Sequence, residues 1–272
     1  MYITNNPDVV AIAEAAGVDR IFVDMEYIGK QDRQGGLDTV QSKHTVDDVR
    51  NIRRILKTAE LLVRCNPIHE STDAYCSSEE EIDQIIDAGA DIVMLPYFKT
   101  VAEVCRFLKY VNGRARTLLL METPEAVEIA DEILDLPGID EVLIGLNDLS
   151  LGYRRKFMFE LLTDGTVERL CRKCAARGIP YGFGGIASLS KGMLPSEYVI
   201  KEHYRLGSGC AILSRSFCDV NRIEDLERVK VIFQQGVRAI RAYEKHCEES
   251  PDTYEQNRQE AVRIVQRIVE QV

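Results

Sequence analysis

The chain has no apolar run of about 18 residues, so no membrane span is expected. It has no surplus of basic charge either. Its 34 Lys and Arg stand against 44 Asp and Glu, a net charge of −10. A nucleic-acid surface needs clustered Lys and Arg, so no nucleic-acid partner is expected. The opening residues Met1 to Asn6 carry no basic region and no long apolar segment. They predict no signal peptide. Eight cysteines without such a signal predict reduced thiols and a cytoplasmic setting. The CxxC pair Cys171 and Cys174 has no second pair, which argues against a zinc or redox centre. Walker, dinucleotide and metalloprotease motifs are missing. Histidine is scarce, with four in the chain. His203 and His246 fall on outer helices, where exposure to solvent is expected, and His69 follows the third strand in a loop.

What is present is a repeat. Gly-x-Asp followed by a strand-like apolar run occurs at Gly17-Val18-Asp19, Gly89-Ala90-Asp91 and Gly138-Ile139-Asp140. Each copy follows a helix-like segment, and glycine just past a helix takes the left-handed conformation that ends it. Each copy therefore reads as helix, stop, strand. Filling in the rest predicts eight strands, near 2–4, 21–24, 60–64, 92–95, 117–121, 141–144, 180–183 and 211–214. Helices fall between them. Regular strand–helix alternation means parallel strands with right-handed crossovers. Eight units, 45% hydrophobic residues and 272 residues suit an α/β chain built as a (β/α)₈ TIM barrel. An open doubly wound sheet is the alternative. The barrel is expected over residues 1–222 and a C-terminal helical extension over 223–272. Its first helix is expected from Asp225 to Tyr243. The second carries an apolar stripe (Ala261, Ile264, Val265, Ile268, Val269) that needs a partner in this subunit or another. Docking on or exchange with another subunit is the expectation.

Two acids sit where apolar runs end. Leu118-Leu119-Leu120-Met121 is closed by Glu122, and Val142-Leu143-Ile144-Gly145-Leu146-Asn147 by Asp148. Ligands and catalytic groups gather at the carboxyl ends of parallel strands. Two carboxylates there make a hard, oxygen-lined pocket suited to Mg²⁺ or Mn²⁺. The plainer alternative for either acid is a helix cap. Arg64 ends the third strand. A buried arginine needs a partner, either a substrate carboxylate or enolate, or an ion pair to Asp24 or Glu26. Asp24 and Glu26 end the second strand on one face, where they orient a base, ligate metal through water or pair with Arg64. Gly184, in the run Gly182-Phe183-Gly184-Gly185, lets a ligand approach the backbone. Arg215 can meet a second anionic group or lie in solvent. The segment from Glu26 to His44 is polar, holds three glycines and is expected to loop over the catalytic face.

Glu122-Thr123-Pro124-Glu125-Ala126 is similar to an "E-T-x-E-A" motif, and Pro137 to Ser150 to "PGVDxxxIGxxDLS". Both belong to the HpcH/HpaI aldolase and citrate-lyase β-subunit family of the phosphoenolpyruvate/pyruvate barrel superfamily. Asp19 to Glu26, Leu62 to Arg64 and Gly89 to Pro96 also resemble it. The resemblance implies a divalent-metal carbon–carbon lyase, class II aldolase-like, acting on a 2-oxo acid such as pyruvate through a metal-stabilised enolate. It implies that Glu122 and Asp148 hold the metal and that Arg64 stabilises the enolate. It also implies substrate contacts from Gly145, Asn147 and Asp148 in the loop Gly145-Leu146-Asn147-Asp148. Family members commonly form homo-oligomers. The chain also departs from the pattern. Histidine follows the acid in the family's D-x-E-H motif, whereas Asp24-Met25-Glu26 is followed by Tyr27. The candidates for the missing base are His44, Tyr27 and an acid such as Glu26. Alternative readings are a citrate-lyase-like acyl-CoA lyase and a non-catalytic metabolite-binding barrel.

Overall fold

The structure, a computed structural model, describes residues 1–30, 42, 44–220, 222–223 and 225–271. Most of the expected loop after Glu26 lies outside the described residues.

Eight parallel strands close into a barrel in sequence order. They are β1 (Tyr2–Ile3), β2 (Arg20–Asp24), β3 (Glu60–Arg64), β4 (Ile92–Leu95), β5 (Arg116–Met121), β6 (Glu141–Ile144), β7 (Tyr181–Ile186) and β8 (Cys210–Leu213). The helices of the first half are α1 (Pro7–Ala15), α2 (Val46–Ile55), α3 (Ser78–Asp87), α4 (Val101–Val111), α5 (Pro124–Glu128) and α6 (Ala130–Leu134). After β6 come α7 (Leu146–Gly152), α8 (Glu160–Thr163), α9 (Thr166–Ala176) and α10 (Ser196–Leu206). The chain ends in α11 (Leu226–Glu249) and α12 (Tyr254–Gln271). The (β/α)₈ barrel read from the alternation is thus the observed architecture. None of the helices among the described residues is long and apolar enough to cross a membrane.

The Gly-x-Asp repeat explains itself at both positions. Gly17, Gly89 and Gly138 have φ of 90°, 99° and 92°, a backbone that side chains oppose. The aspartates then tie neighbouring strands together. Asp91 accepts the Leu61 N–H at 2.8 Å, and Asp140 accepts the Thr117 N–H at 2.8 Å. Asp19 instead pairs with Arg241 of α11 at 2.7 Å.

Period-two alternation divides the strands between two cores. Phe22, Leu62, Ile92, Met94, Leu118, Leu120 and Leu143 fill the barrel interior. Their neighbours pack outward against the helices. Along the same inner face, towards the ends of several strands, the residues change character. At the amino ends stand Arg20, Glu60, Arg116 and Glu141. Arg20 meets Glu60 at 2.9 Å and Glu141 at 2.8 Å, so this end is closed by ion pairs. At the carboxyl ends the same parity delivers Asp24, Arg64 and Glu122.

Three details differ from expectation. β7 runs on to Ile186, because its pairing with β8 shifts register between Gly182 and Gly185. A Cβ on Gly182 would lie 2.3 Å from the Cys210 carbonyl oxygen, so the glycine is needed for the approach of β8. α11 continues to Glu249 rather than stopping at Tyr243. His203 is not in solvent. It shares the inner face of α10 with Val199, and its ring stacks on Phe183 with centroids 3.7 Å apart. Its Nδ1 lies 2.7 Å from Ser208 Oγ. Burial lowers its pKa to about 3.

The stripe on α12 finds its cover within the chain. Ala261, Val265 and Ile268 are buried, and α12 packs on α10 and α8. Asn257 anchors it, donating at 3.1 Å to both the Tyr198 carbonyl and Glu202.

Candidate active site

Asp24 and Arg64 are register partners at the ends of β2 and β3. The Arg64 Nε and Nη2 each donate to the Asp24 carboxylate at 2.7 Å, a bidentate fork. Arg64 Nη1 also lies 3.2 Å from Glu26. The fork expected to meet a substrate carboxylate therefore holds Asp24. A guanidinium carries five N–H donors, so these contacts do not exhaust it. Lys30 joins from the segment after β2. Its Nζ is 2.8 Å from Asp24 Oδ2 and 3.5 Å from Glu26 Oε2. Two acids and two cations thus form one buried cluster. Burial alone would raise the Asp24 carboxyl, but Arg64 and Lys30 outweigh it and hold it well below the usual carboxylate range.

Glu122 ends β5 on the inner face, 4% exposed. Its Oε1 accepts the Tyr97 N–H at 3.1 Å. Its other oxygen lies against Gly145, where a Cβ would sit 2.9 Å from Oε2 and 2.8 Å from Glu122 Cβ. Gly145 is thus what gives the carboxylate room. Asp148 lies in the first turn of α7 and is 8% exposed, with Asn147 Nδ2 3.4 Å from its Oδ1.

These groups face one cavity of about 350 Å³ at the carboxyl ends of the strands. Asp24, Arg64, Glu122 and Asp148 line it, as do Gly145, Asn147 and Gly184. Met158 and Leu146 contribute apolar wall, and Arg215 lines it too. A smaller cavity of about 210 Å³ lies at the amino end, where Arg20, Glu60 and Arg241 are already in ion pairs. Catalytic groups in this fold gather at the carboxyl end, so the cavity there is the candidate site.

The remaining expected residues lie elsewhere. Glu26 is fully buried beside Arg64 and Lys30 and does not line the cavity. Tyr27 is 51% exposed, with its ring edge-on to Tyr75. His44 accepts the Asp24 backbone N–H on Nδ1 at 2.9 Å. Burial lowers its pKa. No histidine lines the cavity among the described residues. Sequence reasoning passed over Lys30. The available signal was spacing, a lysine four residues after Glu26 in a segment leaving a strand end.

The donor set fits a hard divalent cation. Besides Asp24, the buried carboxylates of Glu122 and Asp148 line the cavity, and no cluster of three or more His, Cys, Asp or Glu side chains suited to a metal exists among the described residues. Mg²⁺ is commonly held by one or two carboxylates, with water and substrate completing its shell.

Residues 1–182 match the HpcH/HpaI aldolase/citrate lyase family. The chain belongs to that family. It is accordingly a lyase-type enzyme. Among solved structures, an HpcH/HpaI aldolase/citrate lyase family protein from Burkholderia cenocepacia J2315 is similar at 16% identity. The match has a TM-score of 0.62 and covers 88% of this chain and 94% of that one. The HpcH/HpaI aldolase from Desulfitobacterium hafniense DCB-2 is similar at 17% identity, with a TM-score of 0.58 over 88% and 91% of the two chains. Macrophomate synthase is similar at 16% identity, with a TM-score of 0.53 over 79% and 76%. At such identities these likenesses speak to the fold. No curated protein sequence matched the chain.

Proposed function

We propose that this family member is a Mg²⁺- or Mn²⁺-dependent carbon–carbon lyase acting on a 2-oxo acid such as pyruvate, or a related carboxylate. The observation that carries the reading is the meeting of Glu122, Asp148 and Arg64 on one cavity at the barrel's carboxyl end. Glu122 and Asp148 would hold the cation. When bound, it supplies Lewis-acid stabilisation of the negative charge that develops on the substrate oxygen. Arg64, fixed by Asp24 and Glu26, presents its remaining N–H donors to the anionic part of the substrate. Its rigid anchoring keeps those donors aimed before substrate arrives, which lowers the cost of reorganisation. The apolar wall of Leu146 and Met158 limits water around the reacting carbon. Tyr27 and His44 stand outside the cavity lining, so this reading gives their side chains no proton transfer.

Calorimetric titration with Mn²⁺ tests the metal site. Glu122→Gln and Asp148→Asn should each weaken binding by tenfold or more while the circular dichroism spectrum stays that of the parent. Unchanged affinity in both variants overturns the assignment. Metal-dependent exchange of pyruvate methyl protons, followed by NMR, tests the substrate class. A parent enzyme that binds metal and leaves pyruvate unexchanged would refute pyruvate.

A further inference from the structure

We infer that Lys30 is a second cationic contact for the substrate's anionic group, beside Arg64. The inference rests on the 2-oxo acid reading above and adds a residue to it. Lys30 is 3% exposed, yet it lines the cavity that holds Glu122 and Asp148. Its ammonium carries three N–H donors, and the two carboxylates in contact with it are Asp24 at 2.8 Å and Glu26 at 3.5 Å. Among the described residues these contacts account for two of its three donors. Arg64 shares both acids with it, through contacts of 2.7 and 3.2 Å.

Charge explains why a second cation belongs here. Among the described residues of this cluster, Arg64 alone against Asp24 and Glu26 would leave net negative charge. An anionic substrate would be repelled from the arginine meant to receive it. Lys30 brings the cluster to neutrality and offers a donor of its own. Both cations are held by the same two carboxylates, so their positions are set before the substrate enters. The two differ in what they offer. Arg64 has a flat set of donors fixed by its fork on Asp24, whereas Lys30 presents a compact ammonium. The pair suits a planar carboxylate flanked by a second oxygen, as in a 2-oxo acid.

Oxalate, a planar dianion, is the probe, titrated calorimetrically into the Mg²⁺-loaded full chain. Parent protein should bind it. Lys30→Met should lose at least tenfold in oxalate affinity, with Mn²⁺ affinity unchanged. Lys30→Arg should retain most of the oxalate affinity. The double variant Lys30→Met with Glu26→Gln restores neutrality and guards against misfolding of the single variant. It should fold with parent-like thermal stability and still bind oxalate poorly, because the missing contact has not returned. Parent-like oxalate affinity in Lys30→Met overturns the inference. Recovery in the double variant also overturns it, showing that Lys30 serves only to balance Glu26. Failure of the parent protein to bind oxalate instead refutes the 2-oxo acid reading.

Discussion

At the scale of single residues, Arg64 is part of the buried cluster and, in the proposed reading, also a substrate contact. Its guanidinium lies over the Phe22 ring, 5.4 Å from the centroid, while its fork holds Asp24. Removing it takes from the buried Asp24 and Glu26 a cation that both contact. Breaking a buried pair from one side typically costs about 3–5 kcal/mol. Arg64→Leu should therefore lower the free energy of urea unfolding by about that much, besides losing oxalate binding. A variant that is as stable as the parent would show that the cluster is loosely coupled to the fold. His203 gives a prediction in pH. In the unfolded chain it titrates near about 6.5, whereas burial keeps the folded imidazole neutral down to about 3. As pH falls below about 6.5, the unfolded state takes up a proton that the native state refuses. Stability present above that pH is progressively lost, by up to about 1.4 kcal/mol per pH unit. Between pH 7 and pH 5 the parent should therefore lose about 2 kcal/mol more than His203→Leu, by urea unfolding. Equal losses would mean that His203 is protonated in the native state.

At the scale of elements, the sequence marks most boundaries chemically. Thr45, Ser77 and Thr100 each form a reciprocal capping box at a helix start, with Asp48, Glu80 and Glu103 respectively. The strands and the barrel were legible from other local signals, the apolar runs and the glycine stops. Glu122 was legible because its apolar run ends with β5, whereas the run before Asp148 passes from β6 into α7 and leaves that acid in the helix's first turn. The junction between β6 and α7 carries a constraint that pattern reading does not reveal. Gly145 has an ordinary extended φ of −83°, so backbone freedom is not its reason. It is there because Glu122 occupies the space a side chain would need. Gly145→Ala should push the carboxylate aside and weaken Mn²⁺ binding by tenfold or more. Circular dichroism should still report a folded barrel. Metal affinity equal to the parent's would show that Glu122 can yield without loss.

At the scale of the whole molecule, α12 closes the side of the barrel along α8 and α10. Truncation after Glu249 would uncover the surface that Ala261, Val265 and Ile268 bury, and would remove the Asn257 anchor on Glu202. The loss should be on the order of 5 kcal/mol, seen as a lowered melting temperature. Light scattering reads the homo-oligomer expected from the family. Cover within the chain predicts an unchanged assembly size on truncation. Smaller assemblies would show that α12 also serves between subunits. By itself the sequence determined the alternation of strands and helices and the acid that closes β5, because these rest on local apolar runs and glycine stops. Tertiary structure alone decided the partners. It placed Lys30 against Asp24, turned the Arg64 fork inward, set His44 behind Asp24 and buried His203 on Phe183. Those contacts join segments that no local pattern relates. They are chosen by which inward-facing groups the closed barrel brings within bonding distance, and buried charges must be satisfied there.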